Sequence, residues 1–150
     1  MEATITISET SELAEDSPLL LGAAQLIIGE ICELGDTCDF DPEDVERAVR
    51  DMNGENRTTV IVHDDERVLA VGVMEVYEDE AVIVDVATDP DNRGEGLGKK
   101  VIEMLGTIAK RAGATRLVGL SLESAVGFYE AIGCQRDAPG AYGFHKSLQD

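Results

Sequence analysis

Tryptophan is absent from this 150-residue chain, and aromatic residues amount to only 4%. With apolar residues at 43%, any core is therefore aliphatic. Basic residues are also scarce: 12 Lys plus Arg stand against 31 Asp plus Glu, for a net charge of -19, and only four of the 12 are Lys. Nucleic acid and anionic membranes are poor partners for such a chain, because binding phosphate arrays needs clustered Lys and Arg. The three cysteines, Cys32, Cys38 and Cys134, are odd in number and show no metal-ligand spacing. A reduced compartment is the plain reading, and no metal is expected. Cys38 has Asp39 as its neighbour, and acidic neighbours raise a thiol's pKa and blunt it as a nucleophile.

Long hydrophobic runs are missing too. The longest, Leu19 to Ile28, falls short of the roughly 20 residues that cross a bilayer and reads as a buried helix. The N-terminus shows neither a basic region nor an apolar signal core, so a cytoplasmic location is expected. No linker, internal repeat or low-complexity segment interrupts the chain. A single domain over residues 1–150 is expected, burying about 70% of its unfolded surface.

The acidic excess points to a halophile's cytosol of very high salt. At about 1 M salt the Debye length is roughly 3 Å, which screens the self-repulsion of such a surface. The plainer alternative is an ordinary acidic protein with pI near 4.2. The runs Asp39 to Glu46 and His63 to Glu66 read as solvated faces and turns.

Thr4 to Ile7 reads as a first strand. Ser17-Pro18 opens a helix that runs to about Leu34 and ends at Gly35, and Asp41-Pro42 opens a second. Strands at Thr58 to Val62, Val68 to Val76 and Ala81 to Ala87, joined by short polar turns, form an antiparallel meander. The next helix carries apolar residues at 97, 101, 104, 105, 108 and 112 and ends at Gly113. A strand at 115–121, a helix at about 124–132 and a closing strand pair divided at Ala138-Pro139-Gly140 complete the chain.

The most informative stretch joins the third meander strand to the amphipathic helix: Thr88-Asp-Pro-Asp-Asn-Arg-Gly-Glu-Gly-Leu-Gly-Lys-Lys100. Glycines at 94, 96 and 98 leave backbone N–H groups uncovered at a helix N-terminus, where the orphan donors and the dipole favour an anion. Arg93, Lys99 and Lys100 place three of the 12 basic residues within eight positions. A P-loop is excluded, since Gly98-Lys99 is followed by Lys100 and its first glycine position falls on Arg93. The dinucleotide fingerprint fails as well, because its third glycine arrives one residue early. These failures disfavour a generic nucleotide-binding α/β domain.

What fits is Arg-x-x-Gly-x-Gly, carried by Arg93, Gly96 and Gly98. It resembles the coenzyme A pyrophosphate loop of the GNAT N-acetyltransferase superfamily. Val86 to Pro90 looks like the end of that family's fourth strand, and Ala125-Val-Gly-Phe-Tyr129-Glu-Ala-Ile-Gly133 resembles its fourth helix. Two sequence departures stand out: Leu122 replaces a common Asn, for which Ser121 or Ser124 could substitute, and Cys134 replaces a common Phe. The resemblance implies a mixed α/β (α+β) fold, with a mostly antiparallel central sheet of six or seven strands and about four helices. It also implies that parallel strands 4 and 5 splay apart, with coenzyme A entering the gap.

On that resemblance the chain is an N-acetyltransferase, moving the acetyl group of acetyl-CoA to a primary amine by direct attack in a ternary complex. Residues Arg93, Gly94, Glu95, Gly96, Leu97, Gly98 and Lys99 would hold the pyrophosphate, against the bland reading of a tight strand-to-helix turn. Backbone amides near Val86, Ala87 and Thr88 would face the acetyl carbonyl, where one preorganised donor is worth about 3 kcal/mol. Tyr129 is the candidate general acid, because its reference pKa of about 10 is comparable to that of an alkyl thiol. The alternative is a half-buried helix tyrosine. Phe128 is counted with the cofactor site, although core packing is its plainer role.

Asp85, alone in an apolar strand, is the anomalous candidate for general base, while alternation equally well turns it to solvent. Glu75 and Glu80 are the other candidates. The segment Gly35 to Asp41 lies where the family places part of its acceptor site. The acceptor could be a small-molecule amine or a protein N-terminus or lysine, and the resemblance allows a homodimer. A coenzyme A-binding regulatory module without turnover is the competing reading.

Overall fold

The computed structural model describes residues 6–9, 13, 17–34, 42–52, 54, 56–64, 67–92, 94–120, 126–138 and 143–148. Among these, seven strands and four α-helices follow in the order β1 (Thr6–Glu9), α1 (Pro18–Leu34), α2 (Pro42–Met52), β2 (Arg57–His63), β3 (Val68–Tyr77) and β4 (Glu80–Thr88), then α3 (Leu97–Arg111), β5 (Arg116–Leu120), α4 (Val126–Ala131), β6 (Gln135–Arg136) and β7 (Gly143–Ser147). One sheet runs in the order β1-β2-β3-β4-β5-β7-β6, and every neighbouring pair is antiparallel except β4 and β5. None of the described helices is long and apolar enough to cross a membrane.

Local chemistry explains the helices. The Leu19 N–H donates to Ser17 Oγ at 3.3 Å, and Pro18 takes the first helical position, where no N–H is needed. Leu20, Ala23, Ala24 and Ile27 then bury one face of α1 against the sheet. Gly113, at φ 97, ends α3, and the Ala114 N–H reaches back to the Ala109 carbonyl at 2.9 Å.

The sheet has a core on each side. Beneath α3 and α4 lie Val60, Val62, Ala70, Met74, Ala81, Ile83, Leu117 and Phe144. On the opposite face, α1 and α2 cover Ile61, Val71, Val73 and Ala87. The buried stripe of α3 differs from the expected one. Leu97, Val101, Ile102, Leu105 and Ala109 are buried, whereas Met104 and Ile108 are partly so and Ala112 is exposed. The helix is rolled toward β3, where Gly72 lets Val101 and Leu105 approach the strand backbone closely.

Two irregularities matter for the site. The β4–β5 pairing comprises Glu80 with Arg116, Ala81 with Leu117 and Val82 with Val118, and it stops there. Ile83 still lies beside Gly119, whose ideal Cβ would stand 3.4 Å from Ile83 Cβ, and no ladder pairing joins the two strands beyond Val82 and Val118 among the described residues. The β3–β4 ladder has a bulge: Val73 faces Asp85 and Met74 faces Ile83, which leaves Val84 as the extra residue.

Candidate active site

The glycine-rich turn forms because β4 ends in an Asx-capped turn. Asp89 Oδ1 accepts the Asp91 N–H at 2.9 Å, and the Asn92 N–H donates to the Asp89 carbonyl at 2.9 Å. A 3-10 turn over Pro90–Asn92 leads to Gly94 at φ 85 and Gly96 at φ 79, a left-handed backbone that suits glycine. Gly96 is the N-cap of α3 and supplies no side chain to its first N–H groups. The first turn of α3 contains no acidic residue, while Lys99 and Lys100 are exposed beside it. Lys99 Nζ lies 3.9 Å from Glu103 one turn on. Leu97 is buried in the core, so only its main chain can face a ligand. Arg93, the arginine of the motif, lies outside the described residues, as do Ser121, Ser124 and the segment from Gly35 to Asp41.

The end of β4 borders the gap. The Asp89 N–H donates to the Leu69 carbonyl at 2.8 Å, across the β3 side. Strand alternation then turns the amide of Ala87 toward β3 and those of Val86 and Thr88 toward the gap. Of the three residues named for main-chain amides, Val86 and Thr88 thus turn their N–H groups away from β3. Ala87 is a buried packing residue.

The bulge decides where Asp85 points. Ala81 and Ile83 belong to the core beneath α3, and plain alternation would put Asp85 in line with them. The extra residue, Val84, flips the phase. Asp85 stands opposite Val73 and shares a face with Ala87, both of which pack toward α1 and α2. It is half-buried there, which raises its carboxyl above the ordinary range, while Arg57 pulls it partly back. Asp85 is thus neither in the core nor fully turned to solvent.

The other candidate bases are engaged. Glu75 Oε1 lies 2.7 Å from Arg57 Nη2 and accepts from Arg57 Nε at 2.9 Å. The Tyr77 hydroxyl donates to Glu75 Oε2, and together these bonds hold the Glu75 carboxyl below its ordinary pKa, Tyr77 contributing most. Glu80 lies 3.8 Å from Arg116, at the end where β4 and β5 are still paired.

Tyr129 is buried on the α3–α4 face. Its ring stacks on Phe144 with centroids 4.1 Å apart and meets Phe128 edge-on at 5.0 Å. Phe128 is not a core residue. It is 37% exposed, and its ring covers Gly98, within 3.8 Å of which (measured to an ideal Cβ) Thr88 Oγ1 also lies. Cys134 is a buried free thiol pushed up in pKa by that burial, which suits packing. A cavity of about 690 Å³ lies between α1 and the β2–β3 turn, lined in part by Gln25, His63, Arg67 and Asp89. Sequence reasoning missed the bulge and the Arg57–Glu75–Tyr77 cluster, since both depend on cross-strand register.

The uncapped start of α3 thus follows β4, which with β5 forms the one parallel pair of the sheet among the described residues. A family model described as the acetyltransferase (GNAT) domain matches residues 55–135, just over half of the chain. The chain belongs to this family and is an acetyltransferase. Its fold resembles an aminoglycoside 6'-N-acetyltransferase complexed with coenzyme A, at TM-score 0.74 and 14% identity, over 97% of this chain and 98% of that one. The ribosomal-protein-S18-alanine N-acetyltransferase of Escherichia coli gives TM-score 0.70 and 20% identity, over 98% and 96%. Glucosamine-6-phosphate N-acetyltransferase from Arabidopsis thaliana gives 0.69 and 22%, over 90% and 94%. Among curated protein sequences no match was found.

Proposed function

We propose that this acetyltransferase moves the acetyl group of acetyl-CoA to a primary amine by direct attack in a ternary complex. The observation that carries this reading is the uncapped N-terminus of α3, which opens beside the β4–β5 gap. The residues present fit a pyrophosphate. Gly94 and Gly96 leave open space where a Cβ would stand, so no side chain on them screens the turn. Gly94, Glu95, Gly96, Leu97 and Gly98 would hold it through the main chain, with Lys99 and, from the motif, Arg93 offsetting its charge. Phe128 would cover the apolar flank. When bound, acetyl-CoA supplies an activated acyl thioester.

The chain's own groups divide the remaining work. The amides of Val86 and Thr88 stabilise negative charge on the carbonyl oxygen. Asp85, on the α1–α2 face, takes a proton from the acceptor ammonium through water, and the free amine then attacks the thioester carbon. Tyr129, on the α3–α4 face, gives a proton to the departing sulfur. Asp85 and Tyr129 thus belong to opposite faces of the sheet, so proton removal from the acceptor and proton delivery to the sulfur are assigned to separate groups. Val84 and Leu120, exposed apolar residues on the two parted strands, offer a wall to the body of the acceptor.

The three relatives are named for three kinds of amine acceptor, and a small-molecule amine is the favoured class here. Thiol release measured with acetyl-CoA across a panel of small amines, lysine peptides and free N-termini tests the proposal. Acetyl-CoA binding without release for any amine would instead support a non-catalytic coenzyme A-binding module. Folded protein that binds no acetyl-CoA would refute both.

A further inference from the structure

A chain of polar contacts joins the β2–β3 turn to the glycine turn. The Arg67 N–H donates to Asp64 Oδ1 at 2.8 Å, within the β2–β3 turn. The Arg67 guanidinium reaches in the other direction. Its Nη1 lies 3.6 Å from Asp89 Oδ2, and its Nη2 donates to Asn92 Oδ1 at 3.1 Å. Asn92 Nδ2 then donates to Glu95 Oε2 at 3.1 Å. Glu95 stands between the two left-handed glycines.

Glu95 is an awkward neighbour for an anion site. A carboxylate there can itself compete for the first N–H groups of α3, as acidic side chains do at helix starts. Asn92 holds that carboxylate, but a carboxamide has two ends, one donating and one accepting. Arg67 settles which end faces where. A guanidinium only donates, so it takes the Asn92 oxygen and leaves the Asn92 amino group for Glu95. Because Asp89 shares the same guanidinium and caps the 3-10 turn, Arg67 holds the orienting residue and its backbone support together.

We propose that Arg67 is a positioning residue for cofactor binding: by orienting the Asn92 carboxamide it tethers Glu95 and keeps the glycine-turn amides open to the pyrophosphate. This rests on the proposed acetyl-CoA reading. Its action runs through two side chains, Asn92 and Glu95.

The test is a double-mutant cycle on the full chain, read by calorimetry with coenzyme A and by steady-state kinetics. Arg67→Ala is expected to weaken coenzyme A binding and raise KM for acetyl-CoA about fivefold, the upper range for an exposed ionic contact, with the penalty on KM rather than kcat. In a Glu95→Gln background the same replacement is expected to change Kd by less than about twofold, since a neutral carboxamide does not compete as an anion. Unchanged Kd in Arg67→Ala, or an equal loss in both backgrounds, would overturn the proposal. NMR of the Asn92 side-chain amide in cofactor-free protein separates this from the functional reading. Its proton resonances should shift toward free-carboxamide values in Arg67→Ala, and no shift would overturn the tether. A parent that binds no coenzyme A but shows the shift would refute the acetyl-CoA reading alone.

Discussion

The Phe128 ring lies against Gly98: an ideal Cβ on Gly98 would stand 3.1 Å from Phe128 Cζ and 3.4 Å from Cε2. Gly98 belongs to the first turn of α3 and Phe128 to α4, so the helices that follow the two parted strands meet at a bare piece of backbone. Their contact closes one flank of the glycine turn.

That contact is soft, and a comparison shows it. Gly98→Ala meets an exposed ring that can turn into water, and alanine gains about 1 kcal/mol over glycine in a helix. Urea denaturation should show stability unchanged or slightly increased. At Gly72 a Cβ would stand 2.2 Å from Val101 Cγ1 and 3.0 Å from Leu105 Cδ1, both in the buried core. Gly72→Ala should cost about 1–3 kcal/mol through overpacking. A greater loss at Gly98 than at Gly72 would contradict this packing.

Tyr129→Phe should reduce kcat about 100-fold, at the low end for losing a general acid, while calorimetry shows coenzyme A binding within about twofold of the parent. The ring is held by Phe144 and Phe128, so its packing survives the change. Equal kcat in variant and parent would remove the acid role.

Asp85 makes a prediction about pH. Burial raises its folded pKa above the unfolded value, so its protonated form is favoured in the folded state. Its contribution to stability is complete below the unfolded pKa and is lost as pH rises through the folded pKa. At pH values where Asp85 is ionised, the parent carries a half-buried charge that Asp85→Asn removes, and the variant should be the more stable there. Its advantage should shrink as pH falls through the carboxylate range. The same replacement should lower kcat/KM by about 100-fold if Asp85 is the base, and the parent's rate should rise with pH through a value above that of an ordinary carboxylate. A parent and variant with the same pH–rate profile would return the role of base to another group.

Net charge -19 gives the fourth prediction. Thermal unfolding followed by circular dichroism should show the midpoint rising steadily from dilute buffer to about 1 M KCl, where screening acts within roughly 3 Å. A midpoint independent of salt would remove the proposal of a high-salt origin.

Much of the fold was legible because its signals are local. Ser17-Pro18 and Gly113 mark helix ends by the dihedrals and donors they supply, and the β-branched runs of β2, β3 and β4 alternate in ways a single strand displays. The glycine turn was equally plain, since left-handed φ at Gly94 and Gly96 is a demand that one residue type meets. The face of α3 was read less well. Its apolar positions outnumber those the sheet covers, and Gly72, far away in the chain, chose among them.

The sequence by itself determined the element order, the aliphatic core, the anion-favouring turn and the helix that carries Tyr129. Each follows from spacing within one segment, so no partner strand was needed to see it. Tertiary structure alone decided where β4 and β5 part, which face receives Asp85, that Phe128 covers Gly98 and that Arg67 reaches Asn92. Those relations depend on register and approach between distant segments. A single bulge at Val84 reverses the side-chain phase of everything after it, and periodicity along one strand carries no record of what that strand is paired with.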